Sequence, residues 1–275
     1  MPELTENEVY SQQELEEQTP QEFLYSVAHA KHCALLLDFD GTLAPFRVDR
    51  FKARPWAGVT DILEQIRQEG RTRLALITGR PATEAAKQLG MKKHPEMWGL
   101  HGAEQLSTDG VIERDTLLAS EEMALEGARD AVRTAQLGLL IEDKWNAVVI
   151  HWRGKSVRKM ENVHAVRLLR DYAVGERMTL LEFDGGVELR AGRNKGDAVR
   201  KILAEMETDT PIAYLGDDAT DEDAFRVLEG SGLGVLVRKQ WRPSAASLML
   251  RPPGELRGFL RGWLQAVRTP VDELS

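Results

Sequence analysis

Short apolar runs alternate with amphipathic stretches along most of the chain. Four of these runs are too short for a helix and are read as buried strands, at residues 34–39, 74–77, 211–215 and 233–237. A further short strand is expected near residues 98–100. Helical stretches occupy residues 61–69, 82–89, 195–207 and 254–267. This alternation predicts an α/β fold with a Rossmann-like parallel sheet, in which ligands bind at the carboxyl ends of the strands.

The middle of the chain has a different pattern. Two hairpins are expected around Asp109-Gly110 and Asp184-Gly185-Gly186. The other elements expected there are helices near 121–136 and 157–172 and strands near 139–142 and 147–152. We therefore predict a smaller α+β cap domain inserted into the core. The predicted boundaries are a leader at 1–20, a core at 21–106 and 188–275, and a cap at 107–187.

The charge distribution limits the classes of partner. Six of the eight excess negative charges lie in the acidic, Gln-rich residues 1–20, which we expect to fray or form a loose helix. The remaining body is nearly neutral and is not basic enough to attract a nucleic-acid backbone.

Composition gives further expectations about where the protein works. No apolar run approaches the roughly 20 residues that cross a bilayer, so no membrane association is expected. The amino terminus lacks the layout of a secretory signal. Cys33 is the only cysteine, which excludes an intrachain disulfide. A cytoplasmic location is the expectation.

Two carboxylates follow the first predicted strand, in Asp38-Phe39-Asp40-Gly41-Thr42. Such carboxylates repel each other unless a cation lies between them, and Mg²⁺ is a hard cation that prefers oxygen ligands. Gly41 permits a sharp turn that brings Asp40 back over the same position. The alternative interpretation is an ordinary turn in which an aspartate caps a helix.

Three later segments carry complementary chemistry. Thr78-Gly79-Arg80-Pro81 offers a hydroxyl and an open backbone to an anion, although alone it is typical of any strand-to-helix turn. Residues 217–223 contain five acids, which is costly without a cation, although a solvated acidic loop is the alternative. Asn194-Lys195-Gly196 opens a helix where an ammonium opposes the macrodipole, so Lys195 is expected to pair with an anion.

The charges of these segments balance if the segments meet. Asp38, Asp40 and Asp217 carry three negative charges, and Mg²⁺ with Lys195 carries three positive ones. Such a pocket would accept a phosphate dianion, helped by backbone N–H groups and Thr78.

The order of these segments resembles the four motifs of the haloacid dehalogenase superfamily of phosphatases. The resemblance implies that Asp38 attacks phosphorus and forms an aspartyl-phosphate, and that Asp40 protonates the leaving oxygen and then activates water. It implies that Thr78 and Lys195 hold the phosphoryl oxygens. It also implies a Mg²⁺ site built from Asp38, the main-chain carbonyl of Asp40, and Asp217, with Asp221 as an outer or additional ligand.

The predicted cap offers acid and base on one strand face. Glu142 and Lys144 lie two residues apart in a strand-like stretch, and so do Glu188 and Arg190. Alternating acid and base suits sugar hydroxyls, which donate and accept hydrogen bonds. From spacing alone, ordinary salt-bridged outer faces of a sheet are the favoured interpretation.

The motifs together with Glu142-Asp143-Lys144, His151 and Arg153 resemble the trehalose-6-phosphate phosphatase family over residues 35–238. Two departures are Thr78, where serine is usual, and Ala191, where proline is frequent. The resemblance implies substrate contacts from the cap and the core–cap junction. The expected substrate-binding residues are Gly79, Arg80, His101, Gly102, Glu142, Lys144, Arg153, Glu188 and Asn194.

The resemblance implies Mg²⁺-dependent hydrolysis of trehalose 6-phosphate to trehalose and phosphate, the last step of trehalose biosynthesis. It also implies a functional pairing with a separate trehalose-6-phosphate synthase. Two alternatives stay open. One is a phosphatase for another glycosyl phosphate, such as a glucosylglycerol- or glucosylglycerate-type precursor of a compatible solute. The other is a non-catalytic sugar-phosphate binding module, which would not need both Asp38 and Asp40.

Overall fold

The computed structural model describes residues 19–47, 49–136, 141–152, 159–183 and 185–269. Most of the predicted leader, the first half of the strand expected at 139–142, Arg153 and Asp184 lie outside the described residues. No helix in the described ranges combines the length and apolar character needed to span a bilayer.

In the part of the chain that the structure describes, twelve strands form two separate sheets. In chain order they are β1 (Cys33–Leu37), β2 (Thr72–Ile77), β3 (Glu96–Gly99), β4 (Glu104–Leu106), β5 (Ile112–Arg114), β6 (Ile141–Lys144), β7 (Ala147–His151), β8 (Met178–Phe183), β9 (Gly186–Ala191), β10 (Ile212–Gly216), β11 (Leu233–Val237) and β12 (Leu248–Leu250). The large sheet has the order β12-β11-β10-β1-β2-β3-β4-β5, and the small sheet has the order β6-β7-β9-β8. The large sheet is parallel from β12 to β3, and the small sheet is antiparallel throughout.

Eight α-helices accompany these strands within the described residues. They are α1 (Pro20–His29), α2 (Val59–Glu69), α3 (Ala82–Leu89), α4 (Ala119–Thr134), α5 (Lys159–Arg170), α6 (Lys195–Ala204), α7 (Glu222–Leu228) and α8 (Gly254–Arg268). The predicted α/β class, with a parallel core sheet and an inserted α+β cap, is confirmed.

The central strand β1 is buried along its whole length because helices cover both faces of the large sheet. Leu35 and Leu37 pack in the layer that contains Trp263 of α8. Ala34 and Leu36 face the opposite layer, which contains Phe225 of α7. Successive side chains of a strand point to opposite faces, so two buried faces produce the continuous apolar run seen in the sequence.

Helix α1 was not predicted from the sequence. Thr19 caps it and forms a capping box with Glu22, while Pro20 occupies the first turn. Phe23 and Val27 are buried in the core layer that also contains α8. The sequence signal was present, because Thr-Pro followed by Glu is a helix start, but the acidic residues before it obscured it.

The small sheet has two different faces. Its outer face carries Val148, Ile150 and Leu189, which form a core with Leu125 of α4 and Leu169 of α5. Its other face carries Glu142, Lys144, Glu188 and Arg190, which we call the charged cap face. The charged cap face lies against the core, since Lys144 Nζ is 3.3 Å from the carbonyl oxygen of Gly79.

The chain passes between the two sheets through two neighbouring linkers, residues 115–118 and 192–194. The Asp115 carboxylate in the first linker is 3.1 Å from Arg177 and 3.6 Å from Arg193 in the second. The Gly192 N–H donates to the Arg177 carbonyl at 3.0 Å. The two linkers are thus tied together at one edge of the cap.

The exact boundaries between core and cap stay a prediction. The hairpin expected around Asp109-Gly110 joins β4 to β5, and both strands extend the large sheet. The small sheet, for its part, continues to Ala191 at the end of β9.

Candidate active site

Three candidate residues meet where neighbouring parallel strands end. Leu37 of β1 is in register with Leu76 of β2 and Leu215 of β10. Asp38, Thr78 and Asp217 follow these strands and are all buried. The Asp38 N–H donates to the Leu215 carbonyl at 2.8 Å, which fixes the start of the loop that carries Asp40.

Lys195 lies at the first residue of α6 and enters the same site. Its Nζ is 2.7 Å from Asp38 Oδ1 and 2.8 Å from Asp221 Oδ1. Burial opposes its charge, but Asp221 and Asp38 raise its pKa above the usual value. Asn194 caps the helix and forms a capping box with Asp197, so the orientation of Lys195 is set by the helix start. The anionic partners expected for Lys195 are therefore carboxylates in this structure.

Carboxylate oxygens of Asp38, Asp217 and Asp221 lie within 4.8 Å of one another. Burial raises the pKa of Asp38, and the neighbouring Asp221 raises it further against the effect of Lys195. Burial also raises the pKa of Asp217, with Asp218 and Asp38 adding to the effect. The hydroxyl of Thr42 is the one side-chain hydrogen-bond donor to the Asp217 carboxylate among the described residues, at 3.5 Å.

This donor set fits a hard divalent cation. A cation would stabilise the ionised Asp38 and Asp217, whose charge is otherwise opposed by burial and by neighbouring acids. The loop leaves no room for a side chain at this place, because a Cβ on Gly41 would lie 2.1 Å from Asp217 Oδ2. The residues present thus fit a metal site, and the choice of Mg²⁺ belongs to the proposal below.

Asp221 differs from the other two acids because four donors already contact it. Lys195 Nζ and the Tyr214 hydroxyl approach Oδ1 at 2.8 and 2.5 Å. The N–H groups of Asp217 and Asp218 both donate to Oδ2 at 2.9 Å. Burial alone would raise the pKa of Asp221, but Lys195 and these hydrogen bonds hold it below the usual value. These contacts favour a supporting position for Asp221 over direct coordination of a metal.

Thr78 is placed at the edge of the site by its main chain. Its N–H donates to the Trp98 carbonyl at 2.8 Å, and its carbonyl accepts from the His101 N–H at 2.9 Å. Its hydroxyl accepts from the Arg80 N–H at 3.3 Å, and that hydroxyl still has a proton to donate.

Asp40 lies in the loop after β1, and its carboxylate is bound by an arginine. Arg80 Nε and Nη2 donate to the two carboxylate oxygens of Asp40 at 2.5 and 2.6 Å. The Arg80 side chain is 7% exposed and that of Asp40 is 27% exposed. Arg80 was expected to bind substrate, and that role stays a prediction, since its contacts here are with the protein.

Residues of the charged cap face meet the core–cap junction. Lys144 Nζ is 3.2 Å from Glu188 Oε2, and His101 Nε2 is 3.4 Å from Glu188 Oε1. Burial opposes the charge of Glu188, but Lys144 and His101 hold its pKa well below the usual value. Burial lowers the pKa of His101 to about 3, and Arg190 adds to that shift.

His101 is held in an unusual backbone conformation. Its φ is +60°, and that of Leu100 is +51°, which non-glycine residues seldom adopt. A Cβ at Gly79 would lie 2.6 Å from His101 Nε2, so the imidazole packs directly on the Gly79 backbone. Gly102 in turn packs against the main chain of Asn194. These predicted residues therefore lie together at the junction.

Glu142, on the charged cap face, has partners in both the cap and the core. His151 Nε2 is 2.7 Å from Glu142 Oε2, and Arg50 of the core contacts Glu142 Oε1. Arg50 also contacts Glu84 at 3.1 Å. The predicted sharing of one face by Glu142 and Lys144 is consistent with the register, in which Val149 and Ala147 are their partners on β7.

Sequence reasoning missed several side chains of this region. Arg190 is buried, and its Nη1 is 3.4 Å from Glu188 Oε1. The sequence predicted that Arg190 shares a strand face with Glu188, but did not include Arg190 among the site residues. Arg50 and Tyr214 carried no local motif, because their partners Glu142 and Asp221 are identified only by the fold.

The large sheet with an inserted cap has the fold of a haloacid dehalogenase-like hydrolase of Bacteroides thetaiotaomicron, with a TM-score of 0.61 and 15% identity, and the acids with Lys195 lie at its strand ends. The sequence model of the trehalose-phosphatase family matches residues 36–252, and the chain belongs to this family.

Known relatives agree with that assignment. A trehalose-phosphate phosphatase of Mycobacterium ulcerans is 28% identical over 242 residues, covering 82% of this chain and 60% of the relative. Its Mycobacterium avium counterpart is 32% identical over 251 residues, covering 83% and 61%. The chain therefore spans about 60% of the length of these relatives.

Solved structures agree in fold. The C-terminal domain of C. albicans trehalose-6-phosphate phosphatase superposes with a TM-score of 0.74 and 21% identity. The superposition covers 92% of this chain and 97% of that domain.

Proposed function

We propose that the protein hydrolyses trehalose 6-phosphate to trehalose and inorganic phosphate. The observation that carries the proposal is the buried cluster in which Lys195 Nζ lies 2.7 Å from Asp38, beside Asp217 and beneath the charged cap face. Family membership supports the choice of substrate. The charged cap face supplies both donors and acceptors, which polyhydroxylated leaving groups require.

In the proposed reaction Asp38 is the nucleophile. One of its carboxylate oxygens attacks phosphorus, the bond from phosphorus to the sugar oxygen breaks, and an aspartyl-phosphate forms. Lys195 holds one oxygen of Asp38 and stabilises the negative charge that spreads over the phosphoryl group. The Thr78 hydroxyl donates a further hydrogen bond to that group.

Asp40 is the proposed acid and base. It donates a proton to the departing sugar oxygen and afterwards accepts one from the water that hydrolyses the aspartyl-phosphate. Its side chain is 27% exposed, whereas Asp38, Asp217 and Lys195 are buried, so Asp40 lies on the solvent side of the cluster, where the leaving group departs. The hydrolysis releases phosphate and restores the free Asp38 carboxylate.

Mg²⁺ is the proposed metal, held by Asp38, Asp217 and the main-chain carbonyl of Asp40, with Asp221 behind them. When bound, it supplies positive charge that offsets the acids and the phosphate dianion. Asp221 supports the site through its contacts with Lys195 and with the N–H groups of Asp217 and Asp218.

The sugar is proposed to bind between the charged cap face and the core–cap junction. Glu142, Lys144 and Glu188 would contact its hydroxyls from the cap, and His101, Gly102 and Asn194 would border it from the core. Gly79 would approach the phosphate through its backbone. Arg153 lies outside the described residues and stays a predicted substrate contact.

A panel of phosphate esters tests the substrate. We expect phosphate release from trehalose 6-phosphate, loss of release on adding a chelator, and recovery with excess Mg²⁺. The Asp38→Asn variant should be inactive yet folded. Preference for a glucosylglycerol- or glucosylglycerate-type ester would replace the substrate assignment, and binding without turnover of any ester would favour a sugar-phosphate binding module.

Wider proposals accompany the reaction. The protein is proposed to act in the cytoplasm, to bind neither nucleic acid nor membrane, and to take its substrate from a separate trehalose-6-phosphate synthase. We also propose that the cap comprises approximately residues 115–192, since the large sheet reaches Arg114 and the small sheet ends at Ala191. Co-purification with a synthase tests the pairing, and limited proteolysis at the linkers tests the extent of the cap.

A further inference from the structure

We infer that Arg80 is a positioning residue for Asp40 and not a ligand of the substrate. This inference rests on the proposed function, because it assigns Asp40 the work of protonating the leaving oxygen. Its basis is the geometry of the guanidinium, which is buried between Asp40 and a ring of protein acceptors.

All three nitrogens of Arg80 already donate to the protein. Nε and Nη2 grip the two oxygens of Asp40 side by side, at 2.5 and 2.6 Å. Nη1 faces the Arg50 carbonyl at 2.8 Å, Glu84 Oε1 at 2.8 Å and Gln88 Oε1 at 2.6 Å. One N–H of Nη2 makes no hydrogen bond among the described residues, but a two-pronged contact with a ligand would require Arg80 to break existing hydrogen bonds.

The grip on Asp40 leaves that carboxylate usable. A carboxylate has about four acceptor positions, and a paired arginine occupies two of them. The remaining positions and the 27% exposed surface of the side chain stay open for a leaving oxygen or a water. The planar fork therefore fixes the direction of the Asp40 oxygens without blocking them.

The orientation of Arg80 is fixed by its surroundings. Its guanidinium carbon lies 5.4 Å from the ring centre of Phe39, which is completely buried. Glu84 is four residues further along α3 and holds Nη1 from the same helix. Two acceptor oxygens of Asp40 and three further acceptors that share the two N–H groups of Nη1 leave the guanidinium little freedom to rotate.

The same network reaches the cap through Arg50. The Arg50 carbonyl accepts a hydrogen bond from Arg80. The Arg50 side chain donates from Nη2 to Glu84 at 3.1 Å and from Nη1 to Glu142 of the charged cap face. When the cap lies on the core, Arg50 is held from both sides. Arg50 therefore links cap closure to the placement of Asp40.

The chemistry supplies a readout that separates positioning from binding. A sugar oxygen is a poor leaving group and needs a proton, whereas the p-nitrophenolate of p-nitrophenyl phosphate leaves without one. General acid catalysis contributes roughly 10²–10⁴-fold to such reactions. A misplaced Asp40 should therefore slow cleavage of the sugar ester selectively. The ratio kcat/KM isolates this step, because it includes only the steps up to formation of the aspartyl-phosphate and release of the alcohol.

The decisive variant is Arg80→Lys, which keeps the positive charge but loses the bidentate hydrogen bonding to Asp40. We expect kcat/KM for trehalose 6-phosphate to fall about 10–100-fold, within the range of general acid catalysis, and that for p-nitrophenyl phosphate less than about threefold. In an Asp38→Asn background, the calorimetric affinity for trehalose 6-phosphate should be the same with and without the Arg80→Lys substitution. Weaker binding by the Arg80→Lys protein would make Arg80 a substrate ligand, and equal losses on both esters would reduce it to a structural role; each result overturns the inference.

A second variant guards against a misfolded Arg80→Lys protein. Arg50→Gln removes the link to Glu84 and Glu142 without touching Asp40, and we expect a smaller but equally selective loss. The matched control is Lys52→Gln in the same turn, since Lys52 is exposed and pairs only with Asp49 among the described residues. An Arg50→Gln protein that behaves like the control would overturn the inference. A wild-type protein inactive on every alkyl phosphate would instead refute the proposed function, and the inference with it.

Discussion

At the scale of single residues, the site is distinguished by the different environments of similar acids. Asp38 and Asp217 are buried with few donors, whereas Asp221 receives four. The first two need a cation, and the third holds Lys195 and the loop in place. Identical side chains within one cluster therefore serve different purposes because of their neighbours.

Gly41 provides a test of the space around Asp217. Gly41→Ala should abolish metal-dependent activity, because its Cβ would lie 2.1 Å from Asp217 Oδ2 at a φ of +88°. Gly58→Ala is the control, since Gly58 has a φ of +81° with open space around it. The control should lose only about 1–2 kcal/mol of stability from backbone strain and keep its activity. Thermal unfolding and phosphate release distinguish the two, and an active Gly41→Ala protein would contradict the packing described here.

His101 predicts a pH-dependent contribution to stability. Its pKa falls from 6.5 to about 3 on folding, so the unfolded chain binds the extra proton between these values. The free energy of unfolding should therefore decrease as pH falls through this window, by up to about 1.4 kcal/mol per pH unit. The raised pKa values of Asp38 and Asp217 act in the opposite direction in metal-free protein, so the informative quantity is a difference between proteins.

That difference is between the wild type and His101→Gln. Urea unfolding at pH 7, 6, 5 and 4 should show a shallower loss of stability with acid in the variant. Parallel curves for the two proteins would mean that His101 is not buried in its neutral form.

At the scale of elements, helices α1 and α6 both begin with a capping box, but only the start of α6 carries a residue of the candidate site. Thr19 with Glu22 caps α1, and Asn194 with Asp197 caps α6, where Lys195 enters the site. Thr19→Ala and Asn194→Ala should each cost about 1 kcal/mol of stability through loss of the cap. Only Asn194→Ala should also lower phosphate release, since it loosens the start of the helix that aims Lys195. Equal activities in the two variants would separate the cap of α6 from catalysis.

Element order was predictable because the physics of a buried strand is local. A run such as residues 34–39 shows its two buried faces in its own composition, and acids at its end indicate a functional edge. Helix α1 was missed because its apolar stripe is short and follows an acidic stretch. The hairpin that joins β4 to β5 was predicted to lie in the cap, whereas it extends the large sheet. A turn motif predicts a hairpin but does not indicate which sheet the hairpin joins.

At the scale of the whole molecule, the residues of the core site could be predicted from the order of the motifs along the chain. The residues that hold those site residues in place could not. Asp38, Lys195 and Asp217 occur at strand or helix ends that a parallel sheet brings together. The contacts of Arg50 with Glu84 and Glu142, and of Tyr214 with Asp221, join segments that have no shared motif. Such partners are set by tertiary packing, which one sequence does not encode in a readable pattern.

Closure of the cap over the core predicts a difference between large and small substrates. Lys144 contacts Glu188 within the cap and the Gly79 carbonyl in the core. Lys144→Met should raise the KM for trehalose 6-phosphate about tenfold, since a hydrogen bond to a charged group contributes about 1.5–3 kcal/mol. The KM for p-nitrophenyl phosphate should change little, because that ester offers no hydroxyls to the cap. Steady-state kinetics with both esters checks this, and equal changes would place Lys144 outside sugar recognition.

The paired linkers at 115–118 and 192–194 determine how far each part of the cap travels. Because Asp115 contacts residues next to both crossings at one edge, any rotation of the cap relative to the core would pivot at that edge. Arg190, next to the pivot, sweeps a short arc, while Glu142 and His151 lie successively further along the sheet and sweep longer ones. A small rotation about the linkers would open the Arg50 end widest, which would make that side the entrance for the proposed disaccharide substrate.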